Sequence, residues 1–304
     1  MTDTLDNVRP EWLDWRRGGI GGSDIPAICG LSNFGSPVSV WADKTGRTEP
    51  TETTDRQRIG QVLEGALAQL FHERTGLHVL GEQTWCTHRA VSHFRCTVDG
   101  FVAESAESSI DDVLGTVQFK TDGRFGWPDG IPPSIRAQCV WEMGVTGLEH
   151  CWLAVLFAGF RFEVFELSMA DCEADLDWLQ GRAAAFWTDH VLADVVPPAD
   201  DLDVTSSTIR TIWPDHVEGE TADLSAIAAE LDERARLKAS VAVADKRIKV
   251  IDNTIRLALG DAETGTVDGV PVITYRSSLR AGYVVEPTTV RTLRAVSYKE
   301  KKAS

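Results

Sequence analysis

Three things are scarce in this 304-residue chain, and each scarcity removes a class of protein. Long hydrophobic runs are missing. No apolar stretch approaches the roughly 20 residues of a membrane span. The first residues, Met1 to Arg9, are polar and acidic and do not read as an export signal. A cytoplasmic protein is the expectation. Paired cysteines are missing too. The six cysteines, Cys29, Cys86, Cys96, Cys139, Cys151 and Cys172, form no CxxC pair. Zinc-finger spacing is therefore absent, an iron–sulfur cluster has little support, and the thiols read as reduced. Finally, basic residues are too few. Lys and Arg number 30 against 46 Asp and Glu, a net charge of -16. That excludes a protein coating nucleic acid through bulk charge, which needs Lys and Arg on phosphates. It leaves room for a locally basic groove beside an acidic metal pocket, because the local field decides a site.

What remains is an ordinary globular composition, 43% apolar and 25% charged. Pro10 to Arg17 predicts a short helix with Pro in its first turn. The glycines in Gly18-Gly19-Ile20-Gly21-Gly22-Ser23-Asp24 forbid a helix interior, and Ser23 or Asp24 is placed to cap the next short helix. Ser36-Pro37 starts another, which Gly46 ends. Over 56–75 an apolar stripe of Ile59, Leu63, Ala66, Leu67, Leu70 and Phe71 predicts an amphipathic helix. Strands follow at 78–80, 95–98, 101–103 and 115–120, with Asp99-Gly100 as a hairpin turn. A helix is expected over 134–145, a buried hairpin around Gly159, and a further helix over 170–192. The order implies a mixed α/β layered domain. Residues 1–196 are expected as that domain, 197–221 as a polar linker or long loop, and 222–304 as an appendage of one long charged helix and a hairpin.

Chemistry concentrates in a few polar residues. Glu64 lies on the 56–75 helix, where a carboxylate is ordinarily solvated. Asp99 ends a hydrophobic strand and suits either a turn or a metal. Gln118 and Lys120 alternate onto one strand face, where buried polar groups need partners and where an edge strand would simply be wetted. Together they supply what phosphodiester hydrolysis needs: oxygen ligands for a hard divalent ion, and a cation for transition-state charge.

In this combination the chain resembles the lambda-exonuclease-like, or YqaJ-type, viral recombinase nucleases of the PD-(D/E)xK superfamily. The resemblance is carried in order by Trp12-x-x-x-Arg16 with Ile20-Gly21-Gly22-Ser23-Asp24, by Trp41-x-x-Lys44-Thr45-Gly46, and by Gly60-x-x-x-Glu64 with Phe71 and Thr75-Gly76. It continues through Val98-Asp99-Gly100, Gln118-x-Lys120-Thr121, and Gln138 with Met143-x-Val145-Thr146-Gly147.

The resemblance implies a restriction-endonuclease-like mixed sheet flanked by helices, and a metal-dependent 5′-to-3′ exonuclease acting on linear duplex DNA in phage-type recombination. It implies that Glu64, Asp99 and Gln118 surround Mg²⁺ or Mn²⁺, that Lys120 is the catalytic lysine, and that Gln138 faces the same pocket. Arg16 and Ser23 match positions that hold a 5′ phosphate. Implied partners are DNA ends, a single-strand annealing protein and further copies of the chain, a trimer being one form. In one respect the sequence departs from the family. Gln118 stands where Glu is usual and brings no charge; Glu104, Asp111 and Asp112 are the acids nearest in sequence to replace it. That departure keeps a second reading open, a nuclease fold that binds DNA ends or a partner without cutting.

Overall fold

The structure, a computed structural model, describes residues 10–49, 54–279 and Leu293, and the chain divides into two units between Pro214 and Asp215. In the first, strands β1 (His78–Leu80), β4 (Gly100–Ala103), β5 (Gly115–Asp122), β6 (His150–Phe157) and β7 (Arg161–Ser168) form one sheet in that order. Strands β2 (Thr84–Thr87) and β3 (Arg95–Val98) pair apart from it as an antiparallel ribbon. In the main sheet only β5 and β6 run parallel, joined by helix α5 (Pro133–Thr146); the other pairs are antiparallel. The sheet is mixed, as expected.

Helices cover both faces. On one, α4 (Asp55–Thr75) sets Leu67 and Phe71 against Val102, Val117, Phe119, Trp152 and Ala154. On the other lie α2 (Ile25–Ile28), α3 (Pro37–Lys44), α5 and α6 (Glu173–Phe186), with a larger core that includes Trp41, Trp141, Met143 and Leu153. Helix α1 (Pro10–Arg17) precedes them. Side chains alternate along a strand. Because Val117 and Phe119 serve the α4 face, Gln118 and Lys120 point to α5. The start of α3 is fixed by a reciprocal pair: Ser39 N donates to Ser36 Oγ at 3.1 Å and Ser36 N to Ser39 Oγ at 2.8 Å. Such a capping box stabilises a helix by about 1 kcal/mol.

Four sequence expectations are corrected. The buried stripe of α4 runs through Leu63, Leu67 and Phe71, while Ile59, Ala66 and Leu70 are exposed. Glu64 shares the half-buried side, one turn before Leu67 and Ala68. Asp99-Gly100 is not a hairpin turn. β3 and β4 belong to different sheets, and the chain crosses between them there; Gly100 is required because a Cβ would lie 2.4 Å from Val79 Cγ1. The stretch 197–221 is not all linker. It holds α7 (Asp203–Ile212), which buries Thr205 and Thr208 and packs against α3. The helix predicted over 170–192 is α6 followed by a π-helical turn, Trp187–Leu192.

The second unit consists of a short turn, Ser225–Ile227, the long helix α8 (Ala228–Leu259), and a hairpin of β8 (Thr264–Val267) and β9 (Val270–Thr274). Asp268 and Gly269 take φ +51 and +80, the left-handed values of a two-residue hairpin turn. No residue of α8 is buried. The charged tail expected at Lys299 to Ser304 lies outside the described residues. Among the described residues no helix is long and apolar enough to cross a membrane.

Candidate active site

Strand β3 organises the site from both ends. At its start it is stitched to the glycine turn: Ile20 N donates to His93 O at 2.7 Å and Arg95 N to Ile20 O at 2.9 Å. The approach is close enough that a Cβ on Gly19 would stand 2.7 Å from His93 O. At its other end is Asp99, whose Oδ2 accepts the Phe119 N–H of β5 at 2.8 Å.

From Asp99 a connected row of polar groups runs to α5. Gln118 Nε2 donates to Asp99 Oδ2 at 2.5 Å, and Gln138 Nε2 donates to Gln118 Oε1 at 3.0 Å. Lys120 Nζ donates to Gln138 Oε1 at 3.1 Å. The chemistry at the two ends assigns both amides. An ammonium only donates and a carboxylate oxygen accepts, so each amide has one self-consistent orientation. Gln118 therefore turns its NH₂ to Asp99, and its oxygen is already engaged by Gln138. A branch extends to Glu142, which accepts from Gln138 Nε2 at 3.1 Å and is fully buried.

Glu64 joins from α4 through Gln83, whose Nε2 donates to Glu64 Oε2 at 2.9 Å and to Asp99 Oδ1 at 3.3 Å. Gln83 has φ +52, an uncommon conformation for a residue with a Cβ. Such outliers recur at functional sites.

The phosphate-binding candidates sit around Asp24. Its Oδ2 accepts from Gly21 N at 2.8 Å and pairs with Lys44 Nζ at 2.7 Å; its Oδ1 pairs with Arg16 Nη2 at 3.3 Å. Lys44 has no exposed side-chain surface and also donates to Arg16 O at 3.0 Å. Asp24 precedes α2, but it caps nothing: its carboxylate goes to the turn and to the cations. Ser23 is exposed beside it. The two clusters adjoin, since a Cβ on Gly22 would lie 3.3 Å from Glu142 Oε1 and 3.4 Å from Gln138 Cγ.

The carboxyls are shifted in different directions. Burial alone would raise Asp24, but Lys44, Arg16 and the Gly21 N–H offset it and hold the group below the usual range. Burial, with Cys151 and Asp99 adding to it, lifts Glu142 well above that range against the pull of Lys120 and Gln138. Burial likewise raises Asp99, opposed by Lys120 and by the N–H donors of Phe119, Gln83 and Gln118. Glu64 is pushed up to about 7 by burial and by neighbouring Asp99, with Gln83 pulling the other way.

The fit of a metal rests on Gln83. One amide NH₂, a neutral donor, reaches oxygens of both Glu64 and Asp99, so those oxygens converge on a point where positive charge is favoured. Two carboxylates with waters and phosphate oxygens suit Mg²⁺ or Mn²⁺. Among the described residues no group of three or more His, Cys, Asp or Glu side chains stands ready for a metal. Gln118 is consistent with that.

The structure thus brings Glu64, Asp99, Gln118, Lys120 and Gln138 into one network, and sets Arg16 and Ser23 at the adjoining turn. Glu104, Asp111 and Asp112 are exposed on the β4–β5 connection; the acid wired into the network is Glu142. Sequence reasoning missed Gln83, Glu142 and the Lys44–Asp24 pair. Glu142 is one helical turn beyond Gln138, and Lys44 one turn beyond buried Trp41. Both spacings were legible; Gln83, on a loop, carried no signal.

Residues 11–149 match the family model of the YqaJ-like viral recombinase domain. A relative in Bacillus subtilis (strain 168), the uncharacterized protein YqaJ, is 28% identical over 264 residues, or 85% of this chain and 81% of the relative. Among solved structures, an alkaline exonuclease (LHK-Exo) from Laribacter hongkongensis aligns with a TM-score of 0.47 and 16% identity, over 61% of this chain and 94% of that one. A phage related exonuclease from Haemophilus somnus 129PT aligns with a TM-score of 0.40 and 7% identity, over 58% and 96% respectively.

Proposed function

Taking residues 11–149 as a YqaJ-like viral recombinase domain, we propose that this chain is a divalent-metal-dependent DNA exonuclease that degrades linear duplex DNA from its 5′ ends. The observation that carries the reading is the unbroken row from Glu64 through Gln83, Asp99, Gln118 and Gln138 to Lys120. It joins two convergent carboxylates to a cation across three secondary-structure elements and the two connections that carry Gln83 and Asp99.

Glu64 and Asp99 would hold the ion, which when bound polarises phosphate oxygens and lowers the pKa of a coordinated water. Lys120, oriented by Gln138 Oε1, offers positive charge to the phosphorane that forms at phosphorus. Gln118 keeps Asp99 and Gln138 in position rather than ligating, because its oxygen is committed to Gln138. Arg16 is a third exposed and gives one guanidinium N–H to Asp24, so the fork is aimed by a buried anchor toward the turn. There it and the Ser23 hydroxyl would hold the terminal 5′ phosphate, a planar fork being suited to phosphate oxygens.

The test is digestion of linear duplex DNA carrying or lacking 5′ phosphates, with Mg²⁺ or Mn²⁺. Lys120→Ala should slow digestion by roughly 10²–10³-fold. Arg16→Ala should impair phosphorylated ends selectively. Equal losses on both substrates would remove the phosphate assignment, and a natural protein inert with either ion would overturn the nuclease reading. One observation favours a second reading, a fold that grips DNA ends without cutting: the amide NH₂ of Gln118 occupies the place beside Asp99 where the family usually has a carboxylate. In that case the natural protein binds ends but is inert, and Gln118→Glu confers cutting.

A further inference from the structure

We propose that Phe125 and Phe160 form a stacking platform for unpaired nucleobases of single-stranded DNA, beside the candidate active site. The platform deepens the nuclease reading and rests on it for the identity of its occupant. It starts from a phenylalanine in an unfavourable place. Strands β6 and β7 are joined by Ala158, Gly159 and Phe160. Gly159 takes φ +72 and Phe160 φ +60. The left-handed region suits Gly and Asn, because a Cβ there crowds the following carbonyl. Phe160 bears that strain and is also 94% exposed, so its ring gains no packing to offset it. Strain of this kind recurs where function holds a side chain in place.

A second exposed ring stands next to it. Phe125, on the β5–α5 connection, is 76% exposed. A Cβ on Gly159 would lie 3.5 Å from Phe125 Cε1, and Phe125 O accepts from Arg161 Nη1 at 3.1 Å. Adjoining connections therefore carry the two rings, at the same end of the parallel strands β5 and β6. A groove of about 450 Å³ runs there between Phe160, Gly159, Leu156, Thr121 and Leu63. Thr121 follows Lys120 in the chain and Leu63 precedes Glu64, so chain neighbours of two groups of the site line the groove.

The charges around the rings select the occupant. Arg124 pairs with Asp122 at 2.6 Å, and Arg161 pairs with Glu163. Both arginine side chains are 60% exposed, whereas those of Asp122 and Glu163 are 14% and 28% exposed. The carboxylates face inward and the cations outward, in a chain whose net charge is -16. Exposed rings with a positive rim suit a phosphate backbone whose bases turn toward the protein. Bases in a duplex are already stacked on one another, so only an unpaired base offers its face. Every base has such a face, and the platform accepts any sequence. A nuclease that removes one strand of a duplex leaves the other unpaired beside its site.

The test uses the full chain in the presence of a chelator, so that binding is read without cutting. Fluorescence anisotropy follows a labelled oligothymidine that lacks a 5′ phosphate, which leaves the Arg16 anchor out of the measurement. Phe160→Asn should weaken binding by about tenfold. The same change should raise the melting temperature, since Asn adopts the left-handed region readily. Phe160→Leu should also weaken binding and Phe160→Trp should keep it, which separates stacking from apolar contact. An oligonucleotide carrying iodouracil, irradiated on the protein, should cross-link to Phe125 or Phe160. Unchanged affinity in Phe160→Asn, equal binding by Phe160→Leu and the natural chain, or cross-links confined to other residues would overturn the platform. The nuclease reading fails separately. A chain that binds through these rings but cuts with neither ion keeps the platform and loses the hydrolysis. A chain that digests duplex DNA while Phe160→Asn binds normally keeps the hydrolysis and loses the platform.

Discussion

Asp24 and Glu142 are both buried carboxyls, both border the glycine turn, and their pKa values are pushed in opposite directions. Asp24 has a buried ammonium at 2.7 Å, a guanidinium at 3.3 Å and a backbone N–H. Glu142 has one amide N–H on one oxygen, while its other oxygen has no hydrogen-bond partner. Burial penalises charge equally in kind at the two positions. The partners decide the outcome. The Asp24 cluster is an ion-paired scaffold that aims Arg16; Glu142 is a carboxyl whose burial disfavours its charge, and it terminates a row of amides.

The comparison can be broken most directly at Asp24. Asp24→Ala strips buried Lys44 of its 2.7 Å partner, leaving only Asp43 at 3.6 Å, and should cost about 3 kcal/mol in urea unfolding. A cost near that of an ordinary surface change would mean the cluster is not an anchor. Gln118→Glu is the next largest. Without metal it sets a second carboxylate against Asp99 and should destabilise the fold by about 1–3 kcal/mol; divalent ion should recover most of that. Thermal melts with Mg²⁺ and with a chelator measure the difference, and equal melts in both would argue against a cation at Asp99. Opposite pH slopes come third. Asp24 is lowered on folding, so its contribution is present above the ordinary Asp pKa and is lost as pH falls through the folded value. Glu142 is raised, so its contribution is complete below the ordinary Glu pKa and is lost as pH rises through the folded value. Asp24→Asn should therefore flatten the acid limb of stability against pH, and Glu142→Gln the alkaline limb. Both variants altering the same limb would collapse the distinction. The smallest effect is expected at Gly22→Ala. Its Cβ meets Glu142 Oε1 at 3.3 Å and Gln138 Cγ at 3.4 Å, so a cost of about 1 kcal/mol, with slower digestion, would mark the seam between the clusters.

The layered α/β architecture was legible because helix and strand periods differ. Leu67 and Phe71, and the alternation from Val117 to Lys120, mark their elements plainly. Partnership between strands was not legible. Asp99-Gly100 looks like a hairpin turn, yet Gly100 is needed for contact with Val79, which is distant in sequence. Helix α7 was hidden because its buried residues are Thr205 and Thr208, whose hydroxyls read as loop. At the site, residues with a motif could be named, but which of them touch could not. Gln83 reaches Glu64 and Asp99 from a loop, through a backbone conformation that its residue type does not announce.

The row of amides bears on how this site could change over generations. With Lys120 fixing the sense at one end and Asp99 at the other, Gln138 and Gln118 cannot reverse singly. A mutation that exchanges donor for acceptor at one step leaves a mismatch at the next, so its effect depends on what its neighbours have become. Variation here is expected to be inherited in blocks: a carboxylate at position 118 would arrive together with a cation to replace the lost donor, or with a compensating change at 138.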